Sequence, residues 1–120
     1  MTTVVIASYF EDEFVQRIRE VDGRLRVLYR EDLVPPPMWP GDHAGPDDWD
    51  RTPEGEEEFL AMLGEAEVLY DFPRGHVWDL TRVAPKLRWV QGSMAGAGEV
   101  AEKASLQDTD VVVTTASGIY

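Results

Sequence analysis

The feature that most constrains this chain is the alternation of short, β-branched apolar runs with segments of helical period. Residues 3–8 (TVVIAS) are apolar with no polar alternation, the pattern of a strand buried on both faces, as in a parallel sheet. Residues 11–21 follow as a helix, with Phe14, Ile18 and Val21 spaced i, i+4 and i+7 on one side, and Asp22-Gly23 stops it. Residues 24–29 (RLRVLY) read as a second strand whose alternating arginines suit a sheet edge facing water. Thr52 is placed to cap a second helix with Pro53 at its first position. Glu54, Glu56, Glu57 and Glu58 then suit the positive end of the helix dipole, and Phe59, Leu60 and Leu63 supply the buried face. Residues 67–72 (EVLYDF) form a third strand, 79–87 a short helix closed near Pro85, and 88–91 (RWVQ) a fourth strand with Trp89 in the core. Residues 98–104 form a third main helix and 110–115 (DVVVTT) a fifth strand. This alternation predicts an α/β fold, an open parallel sheet of about five strands covered on both faces. Right-handed crossovers leave few topologies, and an edge-like second strand selects the order 2-1-3-4-5. With 120 residues, the chain holds one domain.

One stretch breaks the rhythm. Residues 31–51 hold Pro35, Pro36, Pro37, Pro40 and Pro46 with Gly41 and Gly45. Loops this long inside a compact domain are usually functional, so the stretch is expected to be an ordered surface loop carrying Trp39, His43 and Trp49. Composition narrows the function classes. The chain has no cysteine, which removes disulfide and thiolate chemistry and fits a reducing, cytoplasmic setting. A formal charge of −12 repels phosphate backbones and anionic lipid, so no nucleic acid and no membrane surface is expected as a partner. No apolar run approaches the ~18 residues that span a bilayer.

In open α/β sheets ligands bind beyond the carboxyl ends of the strands. The most informative segment there is residues 92–98, GSMAGAG. It leaves a strand and enters a helix through small residues, so its backbone can approach a ligand and offer free N–H groups to an anion such as a carboxylate. A tight turn that binds nothing accounts for the same residues equally well. It is not a dinucleotide fingerprint, because the third glycine position falls on Ala101 and no acidic residue closes the next strand. Nor is it a phosphate-binding P-loop, which needs a following Gly-Lys.

The segment LRWVQGSMAGAG, residues 87–98, resembles the "L-x-W-[VI]-Q-x-x-x-A-G" stretch of D-isomer-specific 2-hydroxyacid dehydrogenases, closest to the glyoxylate/hydroxypyruvate reductase-like branch. Residues 66–72 (AEVLYDF) and 110–120 (DVVVTTASGIY) resemble the family's third strand and the strand before its interdomain helix. The resemblance implies a flavodoxin-like substrate-binding lobe that meets a Rossmann nicotinamide lobe across the active-site cleft. It implies that the backbone amides of Ala95 and Gly96, with Met94 beside them, hold the carboxylate of a small 2-keto or 2-hydroxy acid. The hydride carrier would be NAD or NADP. The family's catalytic arginine, glutamate and histidine, and its glycine-rich cofactor turn, have no counterpart in these residues. The expectation is therefore a lobe without catalytic or cofactor-binding residues of its own, inactive alone, whose partners are the acid substrate, the nicotinamide-binding domain and a second copy in a homodimer. A non-catalytic flavodoxin-like binding or dimerisation module is the alternative.

The remaining candidates are weaker. Arg74, after the third strand, stands where some branches of that family place a substrate-contacting arginine, although a solvent-facing arginine explains it as well. Tyr9 and Trp39 could wall a pocket or simply pack in loops. His43 and His76 are expected at the surface or as caps without carboxylate partners at helical spacing, and neither suggests a metal site. The glutamates of residues 54–58 are expected to be a solvated helix start. Asp12 and Asp71 could suggest the acid pair of a signalling receiver, but the first strand ends in Ser8-Tyr9 and not in an acidic cluster.

Overall fold

A computed structural model describes residues 1–40, 42, 45–92, 106 and 109–115. The elements are β1 (Thr2–Ile6), α1 (Asp12–Val21), β2 (Leu25–Leu28), a 3-10 turn (Glu31–Leu33), α2 (Pro53–Glu65), β3 (Val68–Tyr70), α3 (Leu80–Val83), β4 (Trp89–Gln91) and β5 (Val112–Thr114). The five strands form one sheet in the order β2-β1-β3-β4-β5, every pair parallel. This is the predicted open α/β architecture of the flavodoxin-like type. The strands are shorter than their apolar runs, and the short helix expected over 79–87 occupies only Leu80–Val83. The helix expected at 98–104 lies outside the described residues.

Side-chain alternation along the strands divides the core in two. Val5, Leu69 and Val90 point to one face and pack with Leu33, Phe59, Leu63 and Leu80, so the 3-10 turn, α2 and α3 cover that side. Val4, Ile6 and Val27 point to the other and pack against Val15 of α1. The register explains why Trp89 is not core. Val4, Val68, Trp89 and Val112 are consecutive partners across β1, β3, β4 and β5 on the α1 face. The helix α1 sits over β1 and β2, and its cover runs out along this row: Trp89 is 41% exposed and Val112 57%. The sequence-based face of α1 also shifts. Val15 is its buried residue, while Val21, the last residue of the helix, is exposed.

Local chemistry accounts for α2. The Thr52 hydroxyl accepts the Gly55 N–H at 3.0 Å, satisfying one of the donors a helix start leaves open, and Pro53 follows at the first position. Phe59 and Leu63 are fully buried. No helix of the described residues is long and apolar enough to cross a membrane.

Candidate functional site

Parallel strands bring the segments after β1, β3, β4 and β5 to one edge of the sheet. The long loop after β2 returns α2 so that its first turn stands at the same edge. What fixes it there is Arg51, one residue before the Thr52 cap. Its side chain is 3% exposed. Nε donates to the Leu33 carbonyl at 2.6 Å and Nη1 to the Arg74 carbonyl at 2.7 Å. The guanidinium carbon lies 3.6 Å from the centre of the Phe59 ring, a cation–π stack. One buried cation thus ties the 3-10 turn, α2 and the loop after β3 together. Burial pushes its pKa down, with Glu56 opposing that shift and Arg74 adding to it. Its Nη2 is buried and has no hydrogen-bond partner among the described residues, as is true of Ser8 Oγ at the end of β1.

Arg74 is not a free surface arginine. Its Nη1 donates to the Pro46 carbonyl at 2.5 Å, Nη2 stands 4.0 Å from the fully exposed Asp47 carboxylate, and the side chain is 30% exposed. It binds the proline-rich loop to the loop after β3, at the carboxyl edge of the sheet. The backbone on either side of Arg74 turns sharply. Asp71 adopts φ 71° and Gly75 φ 88°, a left-handed conformation that glycine accepts and an aspartate adopts only at some cost. The Asp71 carboxylate accepts the Phe72 N–H at 3.0 Å, and its own N–H donates to the Gln91 carbonyl at 2.7 Å. Backbone strain of this kind gathers at binding sites, and Asp71 closes β3 beside β4.

His76 overturns its expected role. It is not a lone surface histidine: its Nδ1 lies 3.2 Å from Asp79 Oδ1, three residues on, and its Nε2 meets Glu56 Oε1 of α2. The glutamate run is likewise not merely solvated, since Glu56 serves His76 and Glu58 accepts from Arg30 Nη1 at 2.5 Å. Trp39, expected to pack, is 58% exposed. Tyr9 is half-buried.

The small-residue turn begins where the sheet ends. Gly92 N–H donates to the Thr114 carbonyl at 2.8 Å, the last bond between β4 and β5 among the described residues. Met94, Ala95 and Gly96 follow directly, and they and His43 lie outside the described residues. Near the same edge, Trp89 Nε1 donates to Thr114 Oγ1 at 2.7 Å, and that hydroxyl donates to Gln91 Oε1. No group of three or more potential metal ligands occurs among the described residues. A groove of about 760 Å³ opens at the opposite, amino edge, lined by Thr2, Val68, Leu87, Trp89 and Val112 among others, and its lining includes none of Arg51, Arg74 and His76.

Sequence reasoning passed over Arg51 and Ser8. The signal for Arg51 was present: a single cation directly before a Thr-Pro helix start, in a stretch rich in aspartate. Comparison of this chain with protein-family models, with curated proteins and with solved structures found no match.

Proposed function

We propose that this chain is the substrate-binding lobe of a nicotinamide-dependent 2-hydroxyacid dehydrogenase and that it grips the carboxylate of a small 2-keto or 2-hydroxy acid at the carboxyl edge of its sheet. The observation that carries the proposal is the conjunction at β4. The parallel strand β4 ends at Gln91, Gly92 N–H still pairs with the Thr114 carbonyl of β5, and the sequence over residues 92–98 runs GSMAGAG. Small residues directly beyond a parallel strand are suited to a turn whose backbone N–H groups can meet an anion. Arg74, a cation held 30% exposed at the same edge, supports the same reading.

The residues of this chain do not fit a nicotinamide cofactor, since Ala101 occupies the third glycine position and Thr114-Thr115 close β5 where an acid would bind the ribose. Hydride transfer is therefore the task of a second lobe. The contribution of this one is to bind and orient the acid, an effect of position. Two charge-assisted hydrogen bonds offset by ordering costs leave about −4 kcal/mol, or roughly millimolar affinity. NMR titration of the chain with glyoxylate or hydroxypyruvate tests the proposal. The backbone amides of residues 93–97 should shift and saturate at roughly millimolar concentration, and the uncharged methyl esters should leave them unmoved. Shifts confined to other segments, or equal shifts with the ester, would rule the grip out.

One observation favours a second reading. The row Trp89–Val112 leaves an apolar strip exposed on the α1 face of the sheet, which suits a non-catalytic module that assembles with a second copy. Sedimentation at several concentrations separates the two, since a strict monomer that binds glyoxylate supports only the first.

A further inference from the structure

Five ionisable side chains stand in a row at the joint between α2 and the loop after β3, and their charges alternate when His76 is protonated. Glu56 Oε2 lies 3.9 Å from Arg51 Nη1. Glu56 Oε1 meets His76 Nε2, and His76 Nδ1 lies 3.2 Å from Asp79 Oδ1. Asp79 Oδ2 accepts from Arg82 Nη2 at 2.5 Å. The imidazole at the centre is 13% exposed, so water is a poor substitute for a missing partner. A neutral imidazole carries one N–H and one lone pair. Between two carboxylates it can donate to only one and turns its lone pair on the other. The imidazolium donates to both, so the row is complete only when His76 carries both ring protons.

We propose that His76 is a proton-dependent latch. As an imidazolium it ties the loop after β3 to the first turn of α2; when it loses a proton it releases one carboxylate and loosens the loop that carries Arg74. The charged groups that face it are Glu56 from α2, Arg51 from the approach to α2, Asp79 from its own loop and Arg82 from α3. Arg74, two residues before it, is turned to the Pro46 carbonyl and Asp47. Arg51 is more buried than the histidine, whereas Glu56 and Arg82 are more open to water, with side-chain exposure of 37% and 74%, and salt screens these two more strongly than it screens the central histidine. Only the doubly protonated ring donates to both carboxylates, so the contribution of the latch is present in acid and lost in alkali. None of this depends on the dehydrogenase reading.

The test is urea unfolding of the whole chain at about pH 5.5 and about pH 8.5 in a His43→Gln background, where His76 is the one imidazole left to titrate. The folding equilibrium constant should fall about threefold to tenfold between the acid and alkaline conditions. With His76→Gln added, that fall should disappear. A parallel fall in both variants overturns the proposal. Nitrogen-detected NMR of the His43→Gln chain keeps the question open to decision even if the double variant does not fold. Two ring N–H signals from His76 at the acid pH, slow to exchange, support the latch, and a single ring N–H there overturns it.

Discussion

Arg51→Ala is the perturbation that most directly probes how this edge of the sheet is built. The substitution removes the donors of the Leu33 and Arg74 carbonyls, bonded at 2.6 and 2.7 Å, at a site where the side chain is 3% exposed. Each buried acceptor left without a partner costs about 1–3 kcal/mol. The vacated volume beside the Phe59 ring also costs packing. Against this, the variant no longer buries a guanidinium that has one nitrogen unpaired, a desolvation cost of several kcal/mol that the wild type bears. The net is a loss of about 3 kcal/mol. Arg51→Met, which refills the space along Phe59 but restores neither donor, should lose about 2 kcal/mol. Urea unfolding followed by tryptophan fluorescence and by circular dichroism reads both values, with the slope unchanged if the denatured state is unaffected. A loss below about 1 kcal/mol for Arg51→Ala would show that the two carbonyls find other partners and that Arg51 does not hold the joint.

Three further outcomes follow from the same structure. Thr52→Ala, which deletes the acceptor of the Gly55 N–H, should cost about 1 kcal/mol, and Thr52→Ser should recover most of it in the same unfolding assay. Phe59→Ala at a fully buried position should cost about 3–5 kcal/mol, whereas Trp89→Ala, at a position 41% exposed, should cost less than about 1.5 kcal/mol; equal losses would contradict the way the two faces of the sheet are covered. At Asp79 burial pushes the carboxyl pKa up, but hydrogen bonds from Arg82 and His76 outweigh it and hold the value below the ordinary carboxylate range. Its stabilising effect is therefore complete above that range and is lost as pH falls through it. An acid titration monitored by circular dichroism should show Asp79→Asn losing less stability than wild type between about pH 5 and pH 2.

The elements that depend on local sequence were legible. Thr52-Pro53 marks a helix start because the cap is a bond between residues three apart. The run TVVIAS marks a doubly buried strand because its side chains reach both faces within a few residues. Trp89 was misjudged because burial in a strand depends on what covers each face, and β4 alone does not say that α1 stops over β1. His76 was misjudged for a related reason. One of its carboxylates, Asp79, is three residues away and could have been noticed. The other, Glu56, is brought in by α2 from twenty residues upstream.

Sequence alone therefore determined the alternation of elements, their parallel pairing and the order 2-1-3-4-5, because hydrophobic period, chain handedness and edge-strand charge are properties of neighbouring residues or of every L-polypeptide. Tertiary structure decided which charges are buried and with whom: Arg51 inserted between Phe59 and two carbonyls, Arg74 turned to Pro46, and His76 set between two carboxylates. Those pairings join residues up to 28 positions apart. The free energy of a buried ion is set by the partners and the water around it, and these exist only once the chain has folded.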